Sequence, residues 1–146
     1  FLFTFTNICL GPVLAWIMLM VDENDGIRAL KITLIVTFLA GFIGYSDFYS
    51  FAQNEYLILV MFLLLLGLVV FSLVNLFRGF SRGVSRAVAI GGATLFSLYI
   101  IVDFNRLIYM EDLNMNDWNT AFYMSYTIYL DIINLLLQIL DAMSNS

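Results

Sequence analysis

Two aspartates stand where an apolar chain would be expected to carry none. Asp103 lies in Tyr99-Ile-Ile-Val-Asp103-Phe-Asn-Arg106, and Asp131 lies in Tyr129-Leu-Asp131-Ile-Ile-Asn134-Leu-Leu. A charged side chain inside a membrane span costs about 2.5–3.5 kcal/mol or more, so an acid retained there is a functional candidate by default. Two carboxyls close together in low dielectric cannot both ionise cheaply; they share a proton and titrate as a pair. Such a pair can gate the contact between the elements that carry it. The gate would work without histidine, which the chain lacks.

A longer polar pattern surrounds Asp131. Thr127, Asp131, Asn134, Gln138 and Asp141 recur at spacings of four, three, four and three. On a helix they form one stripe, with mostly Leu and Ile between them. That stripe must face protein or water, because hydrocarbon would leave each group unsatisfied. Tyr99, Asp103 and Arg106 form a shorter stripe of the same kind. The oxygens of Asp, Asn, Gln and Thr suit a hard cation such as Ca²⁺, so one expectation is a hydrated ion path gated by Asp103 and Asp131. Thr127, Asn134, Gln138 and Arg106 would support its seam. A purely structural role is equally open to these residues: Asp103 paired with Arg106 at i,i+3, and Asp131 hydrogen-bonded by Asn134, Thr127 or a neighbouring helix. No nucleophile–base set or metal motif accompanies the acids, so the expectation is a protein that is not an enzyme and carries no cofactor or resident metal.

The elements that must position these residues are legible from apolar runs. A bilayer core of about 30 Å needs roughly 20 apolar residues per helix. Five stretches qualify: Phe1 to Val21, Ile27 to Tyr45, Tyr56 to Phe77, Val84 to about Tyr109, and Trp118 to Leu140. Short connections at Asp22–Gly26, Ser46–Glu55, Arg78–Gly83 and Met110–Asp117 make consecutive helices antiparallel neighbours. At 1.5 Å per residue, Asp103 lies roughly 10–12 Å from the last turn and Asp131 roughly 18–20 Å. A tilt or a shift of the helix ends is needed to bring them into contact. Pro12, mid-span in the first stretch, either kinks that helix or is simply tolerated there. Gly41 with Gly44, and Ala89, Ala93 and Ser97, supply faces for close helix packing.

The composition agrees. Of 146 residues 62% are hydrophobic and only 12% charged, against about 25% charged in soluble domains. A water-facing globule and a disordered tail are excluded, and alternation typical of a β-barrel is absent. Cys9, the only cysteine, can form no intrachain disulfide. The net charge is -5 with six scattered basic residues, so no nucleic-acid patch exists. Arg28, Lys31, Arg78, Arg82 and Arg86 flank the first and third connections, whereas aromatics gather around the second and fourth. The positive-inside rule then puts the first and third connections and the C-terminus on one side. The chain opens at Phe1 without an initiator Met, which suggests a processed, truncated or incompletely known chain.

Ile128-Tyr-Leu-Asp131-Ile-Ile-Asn134-Leu-Leu-Leu closely resembles the signature of the last helix in the Bax inhibitor family, the transmembrane Bax-inhibitor-motif proteins. Phe96-Ser-Leu-Tyr-Ile-Ile-Val-Asp103-Phe-Asn resembles the preceding helix of that family, and Thr6-Asn-Ile-Cys-Leu-Gly11-Pro12-Val-Leu its third helix. The matches fall in the right order over essentially the whole chain. The resemblance implies a bundle of seven helices around a central last one, pH-dependent Ca²⁺ leak and control of cell death. It maps the family's paired sensor aspartates onto Asp103 and Asp131. It also implies departures. The family's first two helices are missing, and with them a basic latch for one aspartate, for which Arg106 is the candidate replacement. The basic connections of the family are acidic or aromatic here, and the end Asp141-Ala-Met-Ser-Asn-Ser is not basic.

The expectation is thus a single all-α transmembrane domain over residues 1–146, an antiparallel bundle of five helices with the last one central. Its function would be a pH-gated calcium leak, with membrane lipid and calcium as partners. The alternative is an accessory helical subunit of a larger organellar complex, such as a respiratory complex, without transport activity. An organelle membrane is expected, either mitochondrial inner membrane or endoplasmic reticulum.

Overall fold

The computed structural model describes residues 23–46, 50–112 and 118–144, together with Phe5, Ile8, Cys9, Pro12, Ala15 and Trp16. The expected first span, Phe1 to Val21, otherwise lies outside the described residues. Its six described positions are helical and exposed.

Four long helices follow: α1 (Glu23–Tyr45), α2 (Glu55–Arg78), α3 (Arg82–Asp112) and α4 (Trp118–Ser144), with one 3-10 turn at Phe51–Gln53 between α1 and α2. No strand occurs among the described residues. Each helix contains a stretch long and apolar enough to cross a membrane. The chain is an all-helical integral membrane protein, and of the five helices expected the structure describes four.

The helices outrun the apolar runs that announced them. α1 begins at Glu23 rather than Ile27, so the expected first connection is largely its opening turn. Acidic residues are favoured at that end by the helix dipole, which an apolar count does not register. α3 runs to Asp112 and α4 to Ser144, because backbone bonding continues past the hydrocarbon boundary. Local chemistry marks the ends of α2. Asn54 accepts from the Leu57 amide at 3.2 Å as N-cap. At the other end Gly79 adopts φ 65 and donates its amide to the Asn75 carbonyl, while the Asn75 side chain accepts from the Phe80 amide at 2.8 Å. That left-handed glycine turns the chain into α3.

The hub is α3, and α1 and α4 pack against it and against each other. One apolar cluster joins them through Ala29 and Ala40 of α1, Phe96 and Ile100 of α3, and Leu135, Leu136, Ile139 and Leu140 of α4. A second, built on Met61, Leu95 and Val102, attaches α2 and Phe51 of the 3-10 turn to α3. The expectation of a central last helix is not met among the described residues, since it is the penultimate helix that the others surround. The reason is that α3 can be approached on two sides. A Cβ on Gly44 of α1 would run into the Ile101 carbonyl oxygen, and one on Gly41 would lie 3.2 Å from the Phe104 ring. On the α4 side, a Cβ on Gly92 would lie 2.7 Å from the Gln138 side chain. The small residues Gly41 and Gly44 therefore do what their spacing suggested, letting α1 and α3 touch backbone to side chain.

α2 is the contrast. Met61 is its only buried residue among those described, and Leu59, Leu63, Leu66, Leu73, Leu76 and Phe77 are all exposed. A helix apolar all round with so little packing has its surface in hydrocarbon.

Candidate functional site

Asp103 and Asp131 meet at the interface of α3 and α4. Asp103 is 2% exposed and Asp131 9%, and their carboxyl groups are within side-chain hydrogen-bonding reach of each other. From the turn, Asp103 is nine residues back from Asp112 and Asp131 thirteen residues on from Trp118. The stagger of the two helices absorbs the remaining offset of about 6 Å. Sequence spacing alone left this contact open.

On α3 the pair is flanked by its own stripe. Arg106 Nη1 lies 3.9 Å from Asp103 Oδ1, one turn along the helix, and its charge also acts on Asp131. The Tyr99 hydroxyl lies within electrostatic range of both aspartates, and its residue is half-buried. Among the described residues Asp103 Oδ2 and Asp131 Oδ2 have no hydrogen-bond donor. One guanidinium at nearly 4 Å cannot neutralise two buried carboxylates, and a buried acceptor without a donor costs about 1–3 kcal/mol.

The other expected seam residues divide. Thr127 donates its hydroxyl to the Tyr123 carbonyl of its own helix at 2.9 Å, so it does not serve Asp131. Asn134 and Gln138 are half-buried on the same face, and Gln138 fills the notch left by Gly92 rather than approaching the carboxyls. Asp141, at the end of the stripe, is exposed. The structure thus brings together Asp103, Asp131 and Arg106, and it leaves Thr127 and Gln138 apart from them.

Asn105 was the residue that spacing did not single out. It is buried, and its side-chain amide donates to the Gly44 carbonyl at 3.3 Å, tying α3 to the end of α1. Gly44 sits among the last four carbonyls of α1, which lack intrahelical donors. Asn105 lies two residues from Asp103, roughly 200° around the helix, so the two face different neighbours. The available signal was that a helix polar at 103, 105 and 106 must be enclosed on more than one side.

A cavity of about 520 Å³ opens between α1, α3 and α4. Asp25, Arg28 and Arg86 stand at its outer end, and Ser97 and Leu135 lie at its inner end, about one helical turn from Asp131. Thr127, Asn134, Gln138 and Arg106 are not among its lining residues. No cluster of three or more His, Cys, Asp or Glu side chains capable of holding a metal occurs among the described residues.

The family model described as "Inhibitor of apoptosis-promoting Bax1" matches residues 1–146. The chain belongs to the Bax inhibitor family. None of the curated proteins matches it. In this member of the Bax inhibitor family, the two better motifs face each other in space. Phe96 to Asn105 forms the middle of α3 and Ile128 to Leu137 the middle of α4, and the aspartates of both motifs meet between them. Of the third motif, Gly11 lies outside the described residues, and Pro12 is helical and exposed.

Proposed function

We propose that the chain mediates a pH-gated calcium leak across an organelle membrane, with Asp103 and Asp131 as the gate. The observation that carries this reading is the buried carboxyl pair between two helices, with one arginine beside it and a cavity ending about a turn away. While the pair holds one proton, the acids are hydrogen-bonded and α3 and α4 stay together. Once that proton leaves, two negative charges face each other with only Arg106 to offset them. Their repulsion parts the helices, admits water and presents carboxylate oxygens to a cation. Two carboxylates fall well short of the six to eight oxygen ligands of a tight Ca²⁺ site. The ion would therefore pass with its water and not lodge, which is what conduction requires.

Arg106, 3.9 Å from Asp103, acts as the latch in this scheme. It biases the pair from one side and leaves the proton to close it. Calcium entry into proteoliposomes across a pH series tests the scheme. Flux should rise as the pH rises through the titration of the pair, and D103N/D131N should remove that dependence. Flux and pH profile unchanged in the double variant would refute the gate.

A further inference from the structure

The cavity between α1, α3 and α4 has a feature that an ion path does not need. Its outer end carries Arg28 and Arg86, both exposed, and among the described residues neither makes an ion pair. Asp25 shares that rim, leaving one positive charge in excess. The rim lies near the N-termini of α1 and α3, whose dipoles add positive potential that the C-terminus of α4 at Ala142 and Met143 offsets in part. Below the rim the wall is mostly apolar, with Ile32 of α1, Ile90 of α3 and Ile139 of α4 leading inward to Leu135, and the hydroxyls of Thr94 and Ser97 interrupt it on α3. A charged rim above an oily throat of about 520 Å³ is the size and polarity of a site for one amphiphile.

From this we infer that the cavity is a binding site for an anionic phospholipid, with the phosphate held between Arg28 and Arg86 and an acyl chain lying in the throat. Charge complementarity selects this occupant. The basic end of a span sits at headgroup depth, and basic pockets between transmembrane helices take anionic headgroups there. Three further basic residues, Lys31, Arg78 and Arg82, lie at the same end of the bundle as Arg28 and Arg86, whereas Arg106 lies toward the other end. The site is formed by three helices that pack as the core of the protein, so the lipid would brace α4 against α1 and α3. It stands whether or not the aspartate pair gates an ion.

The test is lipid retention by the full chain in phosphatidylcholine nanodiscs doped with phosphatidylglycerol, read by native mass spectrometry. The wild type should keep one phosphatidylglycerol at least tenfold in preference to phosphatidylcholine. R28Q/R86Q should lose that preference, and D25N should strengthen it. T94F places a ring in the throat from an exposed position that lines it, and should weaken retention with the rim intact. K31Q changes the same charge outside the cavity and should leave retention unchanged. Equal retention of both lipids, or undiminished preference in R28Q/R86Q, overturns the proposal. Displacement of the lipid by glycerol phosphate would make it a site for free phosphate, and retention of a second copy of the chain in place of lipid would make it an interface; either result also overturns it.

Discussion

α2 and α3 are both apolar helices long enough to span a bilayer, yet they behave as opposites. α2 buries one residue of its 24, while α3 is buried at Ala89, Leu95, Phe96, Ile100, Val102, Asp103 and Asn105. Greater hydrophobicity is on the side of α2, so hydrophobicity did not choose the hub. In lipid, apolar side chains gain nothing by leaving one apolar surface for another. Association follows from close packing and polar contacts. α3 is met by glycines on α1, itself offers Gly92 to α4, and carries Asp103, Asn105 and Arg106. α2 has Leu63 to Leu66 and one glycine, Gly67, with nothing within 4 Å of where its Cβ would be.

That contrast can be broken most forcefully at Gly44. G44L forces a side chain into the Ile101 carbonyl and should destabilise the bundle by about 3 kcal/mol, the upper end for overpacking. Reversible unfolding in mixed micelles reads this directly, and a neutral result would mean that α1 and α3 do not touch there. R106A comes next. It leaves Asp103 buried without a cation and should cost about 2 kcal/mol, between the values for exposed and for fully buried ion pairs. The loss should shrink when D103N is already present, so a double-mutant cycle with additive terms would show that Arg106 acts elsewhere. N105A removes a neutral hydrogen bond to the Gly44 carbonyl and should cost about 1 kcal/mol. The smallest effect belongs to α2: G67L should fall within about 0.5 kcal/mol of wild type in the same assay. A large loss there would show that α2 is packed far more tightly than its exposure indicates.

Much of the site is legible in the sequence. Asp103 and Asp131 stand out because charge in hydrocarbon is expensive, and the 4-3-4-3 repeat on the last span required an enclosed face. Membership of the Bax inhibitor family was readable from the sequences around the two acids. What escaped was the division of labour within the stripe. Thr127 has the right spacing, yet a threonine hydroxyl in a helix readily bonds its own i−4 carbonyl, as Thr33, Thr94 and Thr127 all do. Gln138 has the right face, but its length lets it fill the notch at Gly92. Asn105 escaped because it points away from the pair, toward a carbonyl 61 residues distant in sequence.

The sequence by itself determined the class of the molecule: few charges, long apolar runs and short polar connections permit only membrane-spanning helices. It also determined which residues could not face lipid, because that follows from solvation and helical period alone. The tertiary structure decided that the two carboxyls meet, that the penultimate helix and not the last is the hub among those described, and that arginines 28 and 86 share one rim. These depend on stagger and on which small residues lie opposite one another, and helix packing is set by contacts between segments that no local pattern encodes.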